Sequence, residues 1–294
     1  MEEEIGGFLD YLRQVKKLSE NTVLSYKLDL RQLQIYLERE LGIGSFQEVT
    51  EAQLQTYFDG LESRKKSSTV SRSMSSIRAL YHYLVKAGLV KEDITQQLQA
   101  PKQYREMPEI LTVEEAAALV EQPKGDKPRQ LRDRAILELL YATGIRVSEL
   151  VALTVPDVNL QLGFLHCRES RRERVIPFGS PAREALLQYL EKGRTALQTD
   201  RESEVLFLNY NGGAMSRQGV WKLIRRYGEE AGIRKEVTPH SLRHAFAAHL
   251  IQNGADLRSV QEMMGYADLS AAQIYVTVRP HRIREEYTRN HPRS

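Results

Sequence analysis

Apolar residues recur at helical spacing along nearly the whole chain, and this periodicity is the feature that most limits its possible folds. No segment of the first hundred residues alternates apolar and polar positions, so this region is predicted to be entirely helical. Helical segments begin near Ser19, Thr50 and either Ser67 or Ser68, whose hydroxyl groups can cap a helix, and Gly88 is predicted to end the third segment. The chain is therefore expected to be mainly α-helical.

A polar stretch between two prolines, PKQYREMP, interrupts this pattern after the first hundred residues. Thr112 then begins a new helix, and Glu115 three residues later completes a capping box. A length of 294 residues allows two domains. The expected organisation is a small all-helical domain over residues 1–100, a linker over 101–110 and a larger, mostly helical domain over 111–294.

The second domain contains one clear exception to the helical pattern. The segment GFLHCRESRRERVIPFG alternates apolar and polar residues around a charged turn, which predicts a β-hairpin near residues 163–178. VLFLN at 205–209 is a further strand candidate. Helices are expected at 181–198, 215–232, 240–253, 257–265 and 268–277.

The composition excludes several classes of protein. The longest apolar runs are too short and too often broken by charge to span a bilayer, and the acidic N-terminus does not resemble a signal peptide. The single cysteine, Cys167, rules out an internal disulfide and a zinc site built from cysteines, which fits a reducing cytoplasm. No metal or other cofactor is expected. A net charge of +3 is too small to indicate a nucleic-acid partner by itself.

Three segments carry residues suited to phosphate chemistry. They are YATGIRVSEL with Arg146 and Glu149, TPHSLRHAFAAHL with His240 and Arg243, and MMGYADLSAAQIYVTV with Tyr266 and Tyr275. A bend that contains Gly144 is expected just before Arg146. Two arginines can hold the non-bridging oxygens of one phosphate and stabilise the charge of a pentacoordinate intermediate. A tyrosine can attack phosphorus and form a covalent intermediate, and a histidine can transfer protons near neutral pH.

Each of these residues also has an ordinary structural interpretation. Arg146 could be a solvated surface arginine, with Glu149 as its ion-pair partner on the same helix. His240, which follows a proline, could be a helix cap, and Tyr275 could belong to the core. Taken singly these residues are weak signals, and only their order and context along the sequence favour a catalytic role.

In that order and context, the sequence resembles the tyrosine recombinase (phage integrase) superfamily, and most closely the bacterial Xer recombinases. ATGIRVSEL resembles the first arginine box of the family, HSLRHAFAAHL the second, and LSAAQIYVTV the nucleophile box. The N-terminal segment FLDYLRQVKKLSENTVLSYKLDL resembles the SAM-like core-binding domain, and the ending NHPRS resembles Xer C-termini. The resemblance implies a C-shaped clamp of two domains around duplex DNA. It also implies strand cleavage through a 3′-phosphotyrosine at Tyr275, with Arg146, His240, Arg243 and Tyr266 as catalytic residues and Glu149 in support.

Two positions depart from the family pattern. The family usually has a lysine in the hairpin turn that protonates the leaving 5′ oxygen, but no lysine occurs between Thr154 and Glu191, and Glu169 or Ser170 occupies the place. The arginines of the hairpin can supply charge but are poor proton donors, because a guanidinium stays protonated; they are Arg168, Arg171, Arg172 and Arg174. Tyr266 stands where the family usually has His or Trp. Its hydroxyl could donate to a phosphate oxygen, or its ring could only pack against a neighbouring helix.

The resemblance also implies which residues contact DNA. Helical faces with Thr22, Ser25, Tyr26 and Arg31, and with Ser71, Arg72, Ser75 and Arg78, are candidates for the major groove, where arginines reach phosphates or guanine edges. The predicted DNA contacts are Tyr26, Arg72, Arg78, Arg168, Arg171, Arg172, Lys222 and Arg225. A polar solvated face is the alternative for each of these helices.

Assembly is implied by the resemblance as well. Four identical or paired recombinase protomers would meet on two DNA sites, and a C-terminal helix of one protomer would dock on its neighbour. Ile283 and Tyr287 in RPHRIREEYTRN suit such docking, and they equally suit folding back on their own domain. The leading hypothesis is an active recombinase for chromosome-dimer resolution or for integration and excision of a mobile element. The alternatives are a non-cleaving architectural DNA-binding protein and an enzyme that relaxes DNA in the manner of a type IB topoisomerase.

Overall fold

The structure is a computed structural model that describes residues 1–98, 109–169, 172–200 and 202–266. The chain divides into two compact units, Met1–Glu106 and Met107–Ser294. The predicted linker lies mostly outside the described residues. The predicted helix at 268–277 and the C-terminal docking segment lie entirely outside them.

Four helices form the described part of the first unit: α1 (Glu2–Gln14), α2 (Glu20–Glu40), α3 (Glu51–Glu62) and α4 (Ser67–Lys86). Ser19 caps α2 by accepting from the Thr22 backbone N–H at 3.3 Å, and Thr50 forms a capping box on α3, as expected. The start predicted at Ser67 or Ser68 is confirmed, because α4 begins at Ser67, and Lys66 has the extended backbone of its cap residue.

The core of the first unit lies where the apolar stripes of these helices meet. Its largest fully buried side chains include Phe8, Leu30, Phe58, Met74 and Tyr81. Each of these side chains lies on the buried face of its helix. Burying several side chains of this size, each contributing about 1.5–3 kcal/mol, is what stabilises so small a helical unit.

The second unit contains eight helices and three strands among the described residues. They are α5 (Val113–Val120), α6 (Pro128–Thr143), α7 (Val147–Ala152), β1 (Val158–Asn159), β2 (Phe164–Glu169), β3 (Arg172–Pro177), α8 (Ser180–Gln188), α9 (Thr195–Leu197), α10 (Arg217–Glu230), α11 (Pro239–Gln252) and α12 (Leu257–Met264). A 3₁₀ turn (Val155–Asp157) precedes β1, and a π-helical turn (Tyr189–Arg194) joins α8 to α9.

Helix α6 lies at the centre of the second unit. It packs against α5, α8 and α11, and it is buried around most of its circumference. Its partner α11 is almost as buried, and three of the α11 residues at the core are alanines, which let a helix approach a neighbour closely. Because α6 and α11 pack closely against each other, the residues near their ends are held at fixed distances from one another.

The predicted hairpin is confirmed as β2 and β3, which pair in antiparallel register from Phe164↔Pro177 to Glu169↔Arg172. The strand predicted at 205–209 is wrong. Within the part of the chain that the structure describes, Val205 and Leu208 make isolated bridges, to Thr154 and Ala214, and no ladder of hydrogen bonds forms at 205–209. The third strand is instead β1, which pairs with the far side of β2.

The expected fold class is therefore confirmed: a mainly helical chain with an all-helical N-terminal unit and a small sheet in the second unit. Among the residues described, no helix has both the length and the apolar character needed to cross a bilayer.

Candidate active site

Arg146 lies at a sharp turn between two helices of the second unit. Helix α6 ends at Gly144, whose φ of +59° is the left-handed conformation that glycine adopts without strain. A Cβ at this position would collide with the Phe246 ring of α11, so glycine is required for two reasons. The turn makes Arg146 the N-cap residue of α7.

The Glu149 carboxylate binds two arginines from different elements. Its Oε2 atom accepts from the Arg146 backbone N–H at 2.6 Å. Its Oε1 atom accepts from Arg146 Nη1 at 3.0 Å and from Arg174 Nη2 of β3 at 2.6 Å. Burial acts to raise the pKa of Glu149, but the bonds from the Arg146 backbone and from Arg174 outweigh it and hold this pKa below its usual range. Glu149 is therefore a buried anion, and the interpretation of it as a surface ion-pair partner is wrong.

Arg243 is buried on α11, with 4% of the residue exposed. Its guanidinium donates to the carbonyl oxygens of Gly144 and Met264, and it lies over the Tyr266 ring with 5.1 Å between Cζ and the ring centroid. Burial is the main cause that lowers the pKa of Arg243, yet a guanidinium remains charged at any working pH. Arg243 is therefore a buried cation.

Three arginines from three elements converge on the C-terminal end of α12. The carbonyl of Met263 accepts from Arg174 Nε at 3.0 Å, that of Met264 accepts from Arg243 Nη2, and that of Gly265 accepts from Arg146 Nη2 at 3.1 Å. The last carbonyls of a helix lack partners within the helix and carry partial negative charge, so they favour nearby cations. The result is a compact cationic site built around one carboxylate; we call Arg146, Arg243 and Glu149 the clamp.

His240 is exposed near the start of α11, one turn before Arg243. Its imidazole centroid lies 6.4 Å from that of His244. The interpretation of His240 as a helix cap is wrong, because Thr238 is the cap and accepts from the Ser241 backbone N–H. The histidine side chain is thus not used to begin the helix.

Tyr266 is partly buried among residues of α11 and α12 and also lies against Arg243. Packing therefore accounts for its ring, and donation by its hydroxyl to a phosphate stays a prediction. Tyr275 lies outside the described residues, so its role also stays a prediction.

Arg174 was predicted only as one of several hairpin charges, and the structure places it in the site. The signal for its position is the two-residue period of a strand. Ile176 of β3 is fully buried, and residues two apart share a face, so Arg174 points the same way and opposes buried Cys167 across the ladder. Val175, on the other face, is half exposed.

The DNA contacts predicted in the first unit are partly engaged within the protein. Arg72 is exposed but pairs through Nη2 with the buried carboxylate of Asp29 at 3.0 Å. Arg78 donates to the Leu98 carbonyl, and Tyr26 packs partly buried against the core. Of these three, Arg72 is the one whose guanidinium is both anchored and open to solvent.

The remaining predicted contacts belong to the second unit. Arg168 is exposed and pairs with Asp157 at 3.0 Å. On α10, Lys222 is exposed, and Arg225 pairs with Glu229 at 3.0 Å. Arg171 lies outside the described residues, and for Arg172 only the strand is described. Their binding to DNA stays a prediction.

Two known protein families match the chain, one in each unit. The Phage integrase family matches residues 109–282, and the Phage integrase N-terminal SAM-like domain matches residues 5–88. The chain therefore belongs to the phage integrase family of tyrosine recombinases.

Individual proteins agree with this assignment. The chain is 42% identical over 289 residues to tyrosine recombinase XerD of Halalkalibacterium halodurans, covering 98% of this chain and 97% of the relative. It is similar to the crystal structure of XerA recombinase, with 28% identity, a TM-score of 0.56 and coverage of 100% of this chain and 99% of the other. The structure of XerH site-specific recombinase bound to difH substrate shares the fold, with 22% identity, a TM-score of 0.77 and coverage of 96% and 93%.

Proposed function

We propose that the chain cuts and rejoins duplex DNA at specific sites through a covalent 3′-phosphotyrosine at Tyr275. The observation that carries the proposal is the convergence of Arg146 and Arg243 on the neighbouring carbonyls of Gly265 and Met264. Tyr275 follows ten residues after Gly265 in the segment that resembles the family's nucleophile box. Membership of the phage integrase family supports the same reaction.

In the proposed reaction, the Tyr275 phenol oxygen attacks the scissile phosphorus and the bond from phosphorus to the 5′ oxygen breaks. The phenol loses its proton and the leaving 5′ oxygen gains one, which leaves a 3′-phosphotyrosine and a 5′ hydroxyl. Arg146 and Arg243 donate to the non-bridging oxygens and stabilise the added negative charge of the pentacoordinate intermediate. Attack by a 5′ hydroxyl from a partner strand reverses these steps, so the phosphoester energy is conserved.

Proton delivery to the 5′ oxygen is the step in which this chain departs from its family, because the usual hairpin lysine is missing between Thr154 and Glu191. His240 is the donor that fits this role within the proposal. It is exposed, it lies one helical turn from Arg243, and imidazole transfers protons near neutral pH. Cleavage is expected to be slower than in a relative that has the lysine.

The proposed partners are double-stranded DNA and further recombinase protomers, identical or related, in a tetramer on two DNA sites. That XerH was solved bound to difH substrate supports a DNA duplex as the ligand. The proposed location is the cytoplasm. Chromosome-dimer resolution and mobile-element integration use the same chemistry, and the origin of the bound site, a fixed chromosomal locus or an element's ends, tells them apart.

The test uses DNA that the chain itself selects from a random duplex library. The enriched sequence is rebuilt with a nick near the cleavage point, so that the cut end diffuses away and the covalent complex is trapped. We expect an adduct with the wild-type chain. Arg146→Lys and Arg243→Lys should slow its formation about a hundredfold, because lysine keeps the charge but loses the two-pronged geometry. Their affinity for the site should change far less, since other phosphate contacts remain.

Other outcomes would refute the proposal. Tight binding without any adduct would support the architectural alternative, which the recombinase relatives do not favour. Relaxation of supercoiled plasmids that lack the site would support a topoisomerase-like enzyme. Near-normal adduct formation in both lysine variants would remove Arg146 and Arg243 from the catalytic role.

A further inference from the structure

We propose that Arg174 of β3 is a positioning residue of the clamp, which keeps Arg146 available to the phosphate by sharing the charge of Glu149. Arg174 also links the β2–β3 hairpin to the C-terminal end of α12. The proposal concerns the same site as the proposed function and rests on it.

The first part of the case is electrostatic. Glu149 is a buried anion only 3.0 Å from Arg146, and a lone carboxylate at that distance would neutralise Arg146 and weaken its attraction for a phosphate. Arg174 lies still closer to the same Oε1 atom, at 2.6 Å. With both guanidinium groups present, the local charge of this trio is +1 instead of zero, so Arg146 can serve a second anion.

The second part of the case is geometric. Arg174 donates through Nη2 to Glu149 and through Nε to the Met263 carbonyl at 3.0 Å, so one planar group bridges α7 and the end of α12. The two atoms are fixed relative to each other within the guanidinium, which a lysine cannot reproduce. The same bridge therefore sets the distance between Arg146 and the helix end from which the chain continues toward Tyr275.

The Arg174 guanidinium packs directly against the backbone of Gly265. A Cβ placed on Gly265 would lie 2.5 Å from Arg174 Nη1 and 2.9 Å from its Cζ atom. The Arg174 side chain is 9% exposed, whereas that of Arg146 is 32% exposed. Arg174 thus fills the interior of the site, and Arg146 forms the part of the trio open to solvent.

The experiment measures single-turnover adduct formation on the nicked duplex at saturating protein. Arg174→Met should slow cleavage about tenfold or more, because it leaves the Glu149 charge to Arg146 alone. Adding Glu149→Gln to that variant should restore part of the lost rate, since the uncompensated charge is then gone. Arg183→Met, on an exposed arginine of α8, is the matched control and should cleave at the wild-type rate.

Salt dependence separates positioning from direct contact with DNA. Each phosphate contact contributes about 0.9 to the slope of log affinity against log salt, so the double variant Arg174→Met with Glu149→Gln, in which no carboxylate competes for Arg146, should keep the wild-type slope if Arg174 touches no phosphate. A slope reduced by about that amount would overturn the proposal, because Arg174 would then bind DNA directly. A wild-type rate in Arg174→Met, or a slow rate that Glu149→Gln does not improve, would overturn it too.

If Arg174→Met does not fold, Arg174→Gln carries the test. It removes the charge that offsets Glu149 but keeps a polar side chain at this buried position, so slower cleavage supports the proposal and a wild-type rate overturns it. The wild-type chain is assayed alongside. Absence of an adduct there contradicts the proposed function itself, whereas cleavage by the wild type with no effect of the variants contradicts only the role of Arg174.

Discussion

Replacing Gly265 with alanine tests how closely Arg174 is packed, and Gly232 offers a matched control. Both glycines follow a helix in the left-handed conformation, with φ of +62° and +70°. Alanine pays a similar conformational cost at each, about 1–2 kcal/mol. A Cβ on Gly232 meets nothing within 4 Å, whereas one on Gly265 lies 2.5 Å from Arg174 Nη1. The difference between the two variants therefore isolates the contact with Arg174.

The size of that difference follows from the bonds that Arg174 would lose. Comfortable contact needs roughly 3.5 Å between heavy atoms, so the guanidinium must move by about 1 Å. It cannot then keep both the 2.6 Å pair with Glu149 and the 3.0 Å bond to the Met263 carbonyl. Losing one bond to a charged group costs about 1.5–3 kcal/mol. Gly265→Ala should thus destabilise the fold by about 2 kcal/mol more than Gly232→Ala.

Urea unfolding of the two variants measures this difference, and the nicked-duplex assay measures its effect on cleavage. We expect Gly232→Ala to cleave like the wild type and Gly265→Ala to cleave about tenfold or more slowly, because its clamp is displaced. Equal losses of stability in the two variants, together with equal cleavage rates, would show that Arg174 is not held as described.

Three further predictions concern the buried charges and the missing lysine. The pKa of Glu149 is lower in the folded chain than in the unfolded chain. The wild type should therefore have a larger free energy of unfolding than Glu149→Gln above about pH 4.3, the unfolded pKa. This difference should disappear as the pH falls through the lower pKa of the folded chain. Urea unfolding from pH 7 to 3 checks it, and a constant difference would contradict it. Burial raises the pKa of Asp29, against the opposing effect of Arg72. Asp29→Asn should therefore lower the free energy of unfolding by less than about 1 kcal/mol at pH 7. The same variant should weaken binding to the selected DNA site, because Arg72 is no longer held in place by the Asp29 carboxylate. A large loss of stability with unchanged affinity would refute this. A substrate with a 5′-bridging phosphorothiolate should be cleaved faster than normal DNA, because its thiolate leaves without a proton. Glu169→Lys should speed cleavage of normal DNA. Equal rates on the two substrates would mean that protonation of the leaving 5′ oxygen does not limit cleavage.

Features that depend on neighbours in sequence could be predicted from the sequence. The caps at Ser19, Thr50 and Thr112 are local hydrogen bonds between residues three apart, and all three form. The hairpin follows from alternation and a charged turn. Gly144 and Arg146 were expected to form a bend, because a glycine beside a polar helix start favours one.

Features that depend on distant partners could not be predicted in the same way. The segment at 205–209 has the composition of a strand, but a strand needs a partner along its length, and among the described residues this segment forms isolated bridges to Thr154 and Ala214. Two partners of Arg174, Glu149 and Met263, lie 25 and 89 residues away in sequence. Arg72 likewise depends on Asp29, 43 residues away. In each case the three-dimensional neighbour decides the role of the residue.

The most direct test of the central claim is to locate the covalent bond to DNA. The trapped adduct on the nicked duplex is digested with protease and nuclease, and mass spectrometry identifies the tyrosine that carries the 3′ nucleotide. We predict that the modified peptide contains Tyr275 and that Tyr275→Phe, which removes only the phenol oxygen, binds the site normally but forms no adduct. An adduct on Tyr266 or Tyr287, or one that persists in Tyr275→Phe, would contradict the account.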